Sequence, residues 1–380
     1  MKLQDDNIDL KSDEMILNMG PQHPSTHGVL RLILRTDGEV VNDVRPVIGY
    51  LHRCMEKHCE NVTYITAVPY VDRLDYIAGM NNELGYALTV EKLAGIEVPE
   101  RVQYIRVIMA ELNRIASHLI AIGTYALDLG AVTLFLYTMR DRERIIDLFE
   151  EVAGGRLLFN YIRVGGLAHD LTPGWVDKAN DFLEYFPPKI TEYNDLFTYQ
   201  KIFIERAANV GVLHPDVAVS YGVTGPNLRG SGVAWDIRKD EPYSGYEKFD
   251  FEVPIGRGEM GTVGDCWDRY YVRLRELEES VKILRQAIDQ LPREGDVQSA
   301  MPTKTLKPPK GDIYYRVENP RGDLGFYIVS DGTPKPYRLK VRSPCFTAVS
   351  AIREMAVGWM IADLVAILGS LDIVLGEVDR

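Results

Sequence analysis

From Val29 to Arg35 (VLRLILR) and from Glu39 to Val44 (EVVNDV) apolar and polar positions alternate in the manner of β-strands, with Asp37-Gly38 between them as a hairpin turn. The period then lengthens. From about Asn81 apolar residues recur every three or four positions, as in Ile105, Ile108, Met109, Leu112, Ile115, Ala116 and Leu119, the stripe of a helix packed on one face. Ile115 to Met139 is apolar except for His118 and Asp128 and is long enough to span a bilayer. A carboxylate near mid-span would cost about 2.5–3.5 kcal/mol, and Gly123 and Gly130 flank the middle. The expectation is therefore two buried helices meeting near Asp128.

A charged helix follows from Arg140 to Val152, stopped by Gly154-Gly155. Another begins at Thr172-Pro173, where threonine caps and proline suits the first turn, and ends before Pro187-Pro188. A strand-like run at 249–255 (FDFEVPI) precedes a long helix that starts after Asp265. Tyr270, Leu274, Leu277, Val281, Leu284 and Ile288 give that helix a four-three seam for a partner helix. Pro292 to about Lys310 reads as a surface connection. Strand patterns return at 313–317 and 325–329, and a final helix runs from about Thr347 to Ser370. The pattern predicts an α+β, predominantly helical protein. A β-rich stretch 1–80, a helical core 81–291 and a C-terminal stretch 292–380 make one integrated domain.

Composition narrows the function. A chain of 380 residues, 46% hydrophobic, can bury a large core. Its 55 acidic and 43 basic residues leave a net charge of -12, which repels a phosphate backbone and argues against nucleic-acid binding. The opening MKLQDDNIDLKSDEMIL lacks the basic and apolar blocks of a secretory signal, so a cytoplasmic location is expected. Cys54, Cys59, Cys266 and Cys345 are too few and too irregular for a disulfide framework.

Gly256 to Gly261 (GRGEMG) has dinucleotide-loop spacing, but Pro254 disrupts the preceding run, the helix starts late, and no second strand ending in an acid follows. Cys54, His58 and Cys59 lack the second ligand pair that structural zinc needs. No GxSxG, HExxH or Walker loop is present. There remain His23 and His27 in the turn-rich GPQHPSTHG at 20–28, where Pro24 and Gly28 oppose a helix that would pair them. The others are the polar cluster Tyr70–Tyr76, and Asp128, a carboxylate in an apolar run that must be paired, protonated or wet.

At these places the chain resembles the 49-kDa-type subunit of NADH:quinone oxidoreductase, respiratory complex I. The resemblance is carried by GPQHPSTHGVLRL at 20–32, GYLHRCMEK at 49–57, DRLDY at 72–76, ELNRIASHL at 111–119 and GTYALDLGA at 123–131. It continues through NYIRVGG at 160–166, GPNLRGSGV at 225–233 and SLDIVLGEVDR at 370–380. The resemblance implies the fold of the nickel-iron hydrogenase large subunit, with a small N-terminal antiparallel sheet and a central helix bundle. The paired metal-binding cysteines are missing: Cys54 and Cys59 are wrongly spaced and the closing motif at 370–380 has no cysteine.

The same resemblance implies a quinone pocket, for ubiquinone or menaquinone, shared with a neighbouring iron–sulfur subunit that resembles the hydrogenase small subunit. Iron–sulfur clusters, FMN and NADH would lie in partner subunits, with no metal or flavin on this chain. Its neighbours would be other peripheral-arm and membrane-arm subunits, on the cytoplasmic side of the bacterial inner membrane. His27 and Tyr76 look like the pair that hydrogen-bonds the headgroup, Asp128 like the partner of His27, Thr124 and Val378 like pocket lining, and Arg73 like the arginine beside the terminal cluster. Two departures stand out. Leu158 occupies a place where many members carry a histidine, and the 292–312 connection is shorter than in many. An equivalent subunit of a complex fed by ferredoxin or another donor is the alternative.

Overall fold

Leu30, Leu32, Leu34, Val41 and Val44 are buried on one face of an antiparallel sheet, as the alternation requires. In this computed structural model, which describes residues 14–299 and 306–380, the expected hairpin pairs Arg31–Asp37 with Val40–Val47, and Gly38 takes the left-handed conformation (φ 56°) that its turn demands. The start of the chain (1–13) and residues 300–305 of the connection lie outside the described residues, so the leader reading and the short-connection reading fall partly there. A third strand, Glu14–Met19, lines the sheet's edge. Alternation did not single it out because Met15, Ile16 and Leu17 are all exposed.

The predicted apolar stripe belongs to a central helix, Glu100–Asp128, but one stripe understates its burial. Arg106, Glu111, Asn113, Arg114, Ser117 and His118 on its other faces are buried as well. The helices Gly79–Ala94, Val132–Ala153, Cys266–Asp289 and Ile361–Leu371 surround it. Its charges are paired internally: Arg238 bonds Glu111 (3.1 Å), Arg229 bonds Glu276 (2.7 Å) and Glu318 (2.8 Å), and His118 meets Glu276 (2.8 Å).

The break near Asp128 is real. The central helix ends there, Gly130 turns the chain at φ 88°, and Val132 begins the next helix. That helix continues to Ala153, so the second apolar half and the charged 140–152 stretch are one helix and not two, since no glycine or proline separates them. Among the described residues no helix is long and apolar enough to cross a membrane.

The helix expected after Asp265 is Cys266–Asp289, capped by the Asp265 side chain, which accepts from the Asp268 N–H at 2.8 Å. The strand expected at 249–255 does not form. The N–H groups of Asp250 and Glu252 donate instead to Gln286 (2.8 Å) and Glu279 (2.8 Å) on that helix. The glycines of GRGEMG serve packing: a Cβ on Gly256 would lie 2.0 Å from the Gly230 carbonyl oxygen. Gly258 and Gly264 donate to the Asp268 carboxylate.

Strands Gly311–Asn319, Gly322–Ser330 and Arg338–Arg342 form an antiparallel sheet against the helix Gly79–Ala94. The expected final helix is broken into Pro344–Ser350, Ile352–Ala356 and Ile361–Leu371, with Gly358 (φ 88°) in a turn between pieces. Asp372 (φ 51°) then leads to a short helix, Leu375–Asp379.

Candidate functional site

The loop before the first hairpin strand aims one histidine inward. Thr26 is buried, and its hydroxyl lies 2.8 Å from the carbonyl oxygens of both His23 and Gly28. That staple holds His27 in the left-handed conformation (φ 51°), where its Nε2 meets the Asp128 Oδ2 at close range. His23 faces solvent and caps the short turn, its Nδ1 accepting from the Ser25 N–H at 3.3 Å. The two histidines therefore part company, one structural and one in the site. Gly369 lets the helix Ile361–Leu371 pass beside Asp128, since a Cβ there would lie 2.8 Å from the Tyr125 ring and 3.1 Å from the Asp128 carboxylate.

Tyr76 is brought opposite by a turn that Asn113 of the central helix fixes, donating to the Ile77 carbonyl (3.0 Å) and accepting from the Met80 N–H (3.0 Å). The phenol is half-buried, and its hydroxyl has no hydrogen-bond partner among the described residues. The phenol lines a cleft and is free to donate to whatever occupies it. Burial pushes its pKa up, with the Arg321 guanidinium opposing.

Between them lies a cleft of about 220 Å³. His27, Tyr76, Asp128 and Asp372 supply its charged and polar groups; Ile77, Ile120, Leu127, Ile373 and Val374 supply apolar walls. Thr124 also lines it, its hydroxyl already donated to the Ile120 carbonyl (2.8 Å) one turn back. The expected wall residue Val378 is not there. The wall is the extended segment at 372–374, after which the helix Leu375–Asp379 carries Val378 into the interior, fully buried. Arg73 is exposed outside the cleft, donating to the Pro69 carbonyl at 2.6 Å, and Leu158 is half-buried.

Two charged residues were not anticipated, Arg321 behind the cleft and Asp372 in its wall; Asp75, which joins them, belongs to the polar cluster the sequence singled out. The buried Arg321 bonds Asp75 (2.8 Å), Asp372 (3.0 Å) and the Ser117 hydroxyl (2.9 Å). The available signal was the acidic pair in DRLDY and the acids within the otherwise apolar SLDIVLGEVDR. Asp379 clasps the far side, accepting from the N–H groups of Gly49 (2.8 Å) and Leu51 (2.6 Å). All four cysteines are free. No group of three or more His, Cys, Asp or Glu side chains among the described residues is arranged to hold a metal.

An apolar slot flanked by an imidazole and a phenol, with a carboxylate behind the first, sits in a chain whose residues 128–380 match the family described as respiratory-chain NADH dehydrogenase, 49 Kd subunit. The chain belongs to that family. It is 56% identical over 374 residues to the corresponding NADH-quinone oxidoreductase subunit of Chlorobaculum tepidum, covering 98% of this chain and 94% of that protein. The same-named protein of Chlorobium luteolum is 56% identical over 375 residues, with 98% and 95% covered. That of Chlorobium chlorochromatii is 54% identical over 375 residues, with 98% and 94% covered.

Proposed function

We propose that the cleft receives a quinone headgroup between His27 and Tyr76, and that this chain forms, with a neighbouring iron–sulfur subunit, the site of quinone reduction in a proton-translocating NADH:quinone oxidoreductase. The observation that carries the reading is the unpartnered Tyr76 hydroxyl facing the same narrow cleft as the Asp128-held imidazole of His27. Quinone carbonyl oxygens only accept hydrogen bonds, while phenol and imidazole both donate. Two electrons from the partner's cluster and one proton from each donor turn the quinone into the quinol. A cleft of about 220 Å³ is below the roughly 300–1,000 Å³ of drug-sized pockets. It suits one substituted ring whose tail stays outside.

The reading extends to the frame, a hydrogenase large-subunit type without its metal-binding cysteines, and to a peripheral position against membrane-arm subunits. Leu127 at the cleft is 41% exposed, and beyond it Val132 (50%), Leu136 (59%) and Ile202 (71%) present an apolar surface. Leu136→Glu combined with Ile202→Glu is expected to reduce co-purification with the membrane arm several-fold while the chain still folds; undiminished co-purification would remove this surface from the interface.

The test of function is turnover in native membranes. His27→Ala is expected to lower NADH-driven quinone reduction at least about tenfold, with NADH oxidation by an artificial acceptor retained at equal complex abundance. Unchanged quinone turnover in that variant would end the reading. Wild-type membranes that reduce quinone with another donor but not with NADH would favour the ferredoxin-type alternative.

A further inference from the structure

Behind Tyr76 lies a second acid that the quinone chemistry above does not use. Glu377, on the short helix Leu375–Asp379, is fully buried, and both of its carboxyl oxygens are enclosed without a hydrogen-bond partner. A charged carboxylate cannot be kept dry and unpaired at that depth. Burial and the neighbouring charge of Asp75 push its pKa up to about 8, against the smaller opposing effects of Cys345, Arg321 and Arg342. Glu377 therefore carries a proton at neutral pH.

Cys345 lies close enough to both this acid and the phenol to influence each. Its thiol is buried and faces Glu377 without closing a regular hydrogen bond, and its sulfur accepts from the N–H of the cleft-wall residue Val374 at 3.4 Å. Cys345 also lies close enough to Tyr76 to oppose a negative charge there, as does Asp75, while Arg321 and Arg53 favour one. Gly376 seats the chain on the ring: a Cβ there would lie 2.7 Å from the Leu74 carbonyl oxygen, 3.1 Å from the Arg53 guanidinium and 3.3 Å from the Tyr76 ring. Thiol and carboxyl thus lie together in the interior directly behind the cleft wall and the Tyr76 ring.

We propose that Glu377 is a proton-storing positioning residue that refills Tyr76 through the Cys345 thiol after each quinone reduction, an inference that rests on the quinone reading above. When Tyr76 gives its proton to the reduced quinone oxygen it becomes a phenolate. The phenolate, held by no protein hydrogen bond in the resting site, is drawn to the Cys345 thiol; the S–H bond then breaks as a new phenol O–H bond forms, and the Glu377 O–H proton passes to the sulfur. The net change is phenolate plus carboxylic acid to phenol plus carboxylate. The transfer runs downhill, because burial holds the phenol above its ordinary pKa. The carboxylate left behind faces Arg321 and Arg342 and regains its proton from water when the quinol leaves.

The test uses the intact complex in native membranes. Glu377→Gln keeps the shape of the neutral acid but has no proton to give. It is expected to lower quinone turnover at least about tenfold, to raise the solvent deuterium isotope effect, and to abolish the alkaline fall in rate centred near the about 8 of the wild-type acid; Glu377→Asp is expected to restore part of each. Cys345→Ser, which retains an exchangeable proton, is expected to turn over faster than Cys345→Ala, and this pair decides the matter if Glu377→Gln does not assemble. Wild-type turnover and pH profile in Glu377→Gln would overturn the proposal, as would a slower enzyme with unaltered pH profile and isotope effect, or equal rates in the two Cys345 variants. The quinone reading falls separately, by normal turnover in Tyr76→Phe.

Discussion

Tyr76→Phe is expected to cut NADH-driven quinone reduction about 100-fold while leaving NADH oxidation by artificial acceptors and the abundance of the complex intact. The magnitude is the low end of what a positioned proton donor contributes to a reaction, roughly 10²–10⁴-fold. The specificity follows from the local structure. The hydroxyl has no protein partner among the described residues, so removing it orphans nothing, and the ring keeps its contacts with the Gly376 segment. Stability is therefore expected to be unchanged, which a thermal melt of the purified complex would check. A variant that turns over normally would mean that the phenol is not a donor to the quinone.

The largest effect on stability is expected from Arg321→Met. The guanidinium is fully buried between Asp75 and Asp372. Removing one partner of a buried ionic cluster costs about 3–5 kcal/mol, because the remaining charges are left uncompensated. Against a total of roughly 5–15 kcal/mol for a folded protein, that loss is expected to show as severalfold less subunit in membranes and a lower melting temperature. The sign of the electrostatics gives a second check: adding Asp75→Asn to Arg321→Met should recover part of the loss, since it removes one of the stranded negative charges. If the double variant is no better than the single, the contribution of Arg321 is one of packing and not of charge.

Local features were legible in the sequence where local chemistry decides them. The Asp37-Gly38 turn, the start of the long helix after Asp265 and the break after Asp128 all appear where spacing and turn residues placed them. The failures have non-local causes. The 249–255 run looked like a strand, but its N–H groups are satisfied by glutamine and glutamate side chains on a helix some 30 residues away in sequence. Arg106, Glu111 and His118 read as the polar faces of a half-exposed helix because a charge in a sequence carries no mark of burial; Arg106 is compensated by Glu91 on the preceding helix, while the partners of Glu111 and His118, Arg238 and Glu276, lie far along the chain. The site shows the same division. His27, Tyr76, Thr124 and Asp128 were named from the motifs that carry the resemblance, and they line one cleft. Arg321, which bonds an aspartate 246 positions earlier, was beyond any local reading. Val378, expected as pocket lining, lies in the interior and Val374 lines this cleft instead, because an extended segment and a short helix follow each other without a break in hydrophobicity.

The clasp between Asp379 and the backbone of Gly49 and Leu51 joins positions 330 and 328 apart. The cleft walls themselves come from residues 24–27, 76–77, 120–128 and 372–374. A ribosome must therefore have translated past residue 379 before the slot can be closed, and closure is among the last and least local steps of folding. Prematurely ended chains would carry His27 and Tyr76 but no enclosed pocket. Such fragments would bind no quinone in competition with finished subunits, and their open apolar walls would expose them to chaperones and proteases.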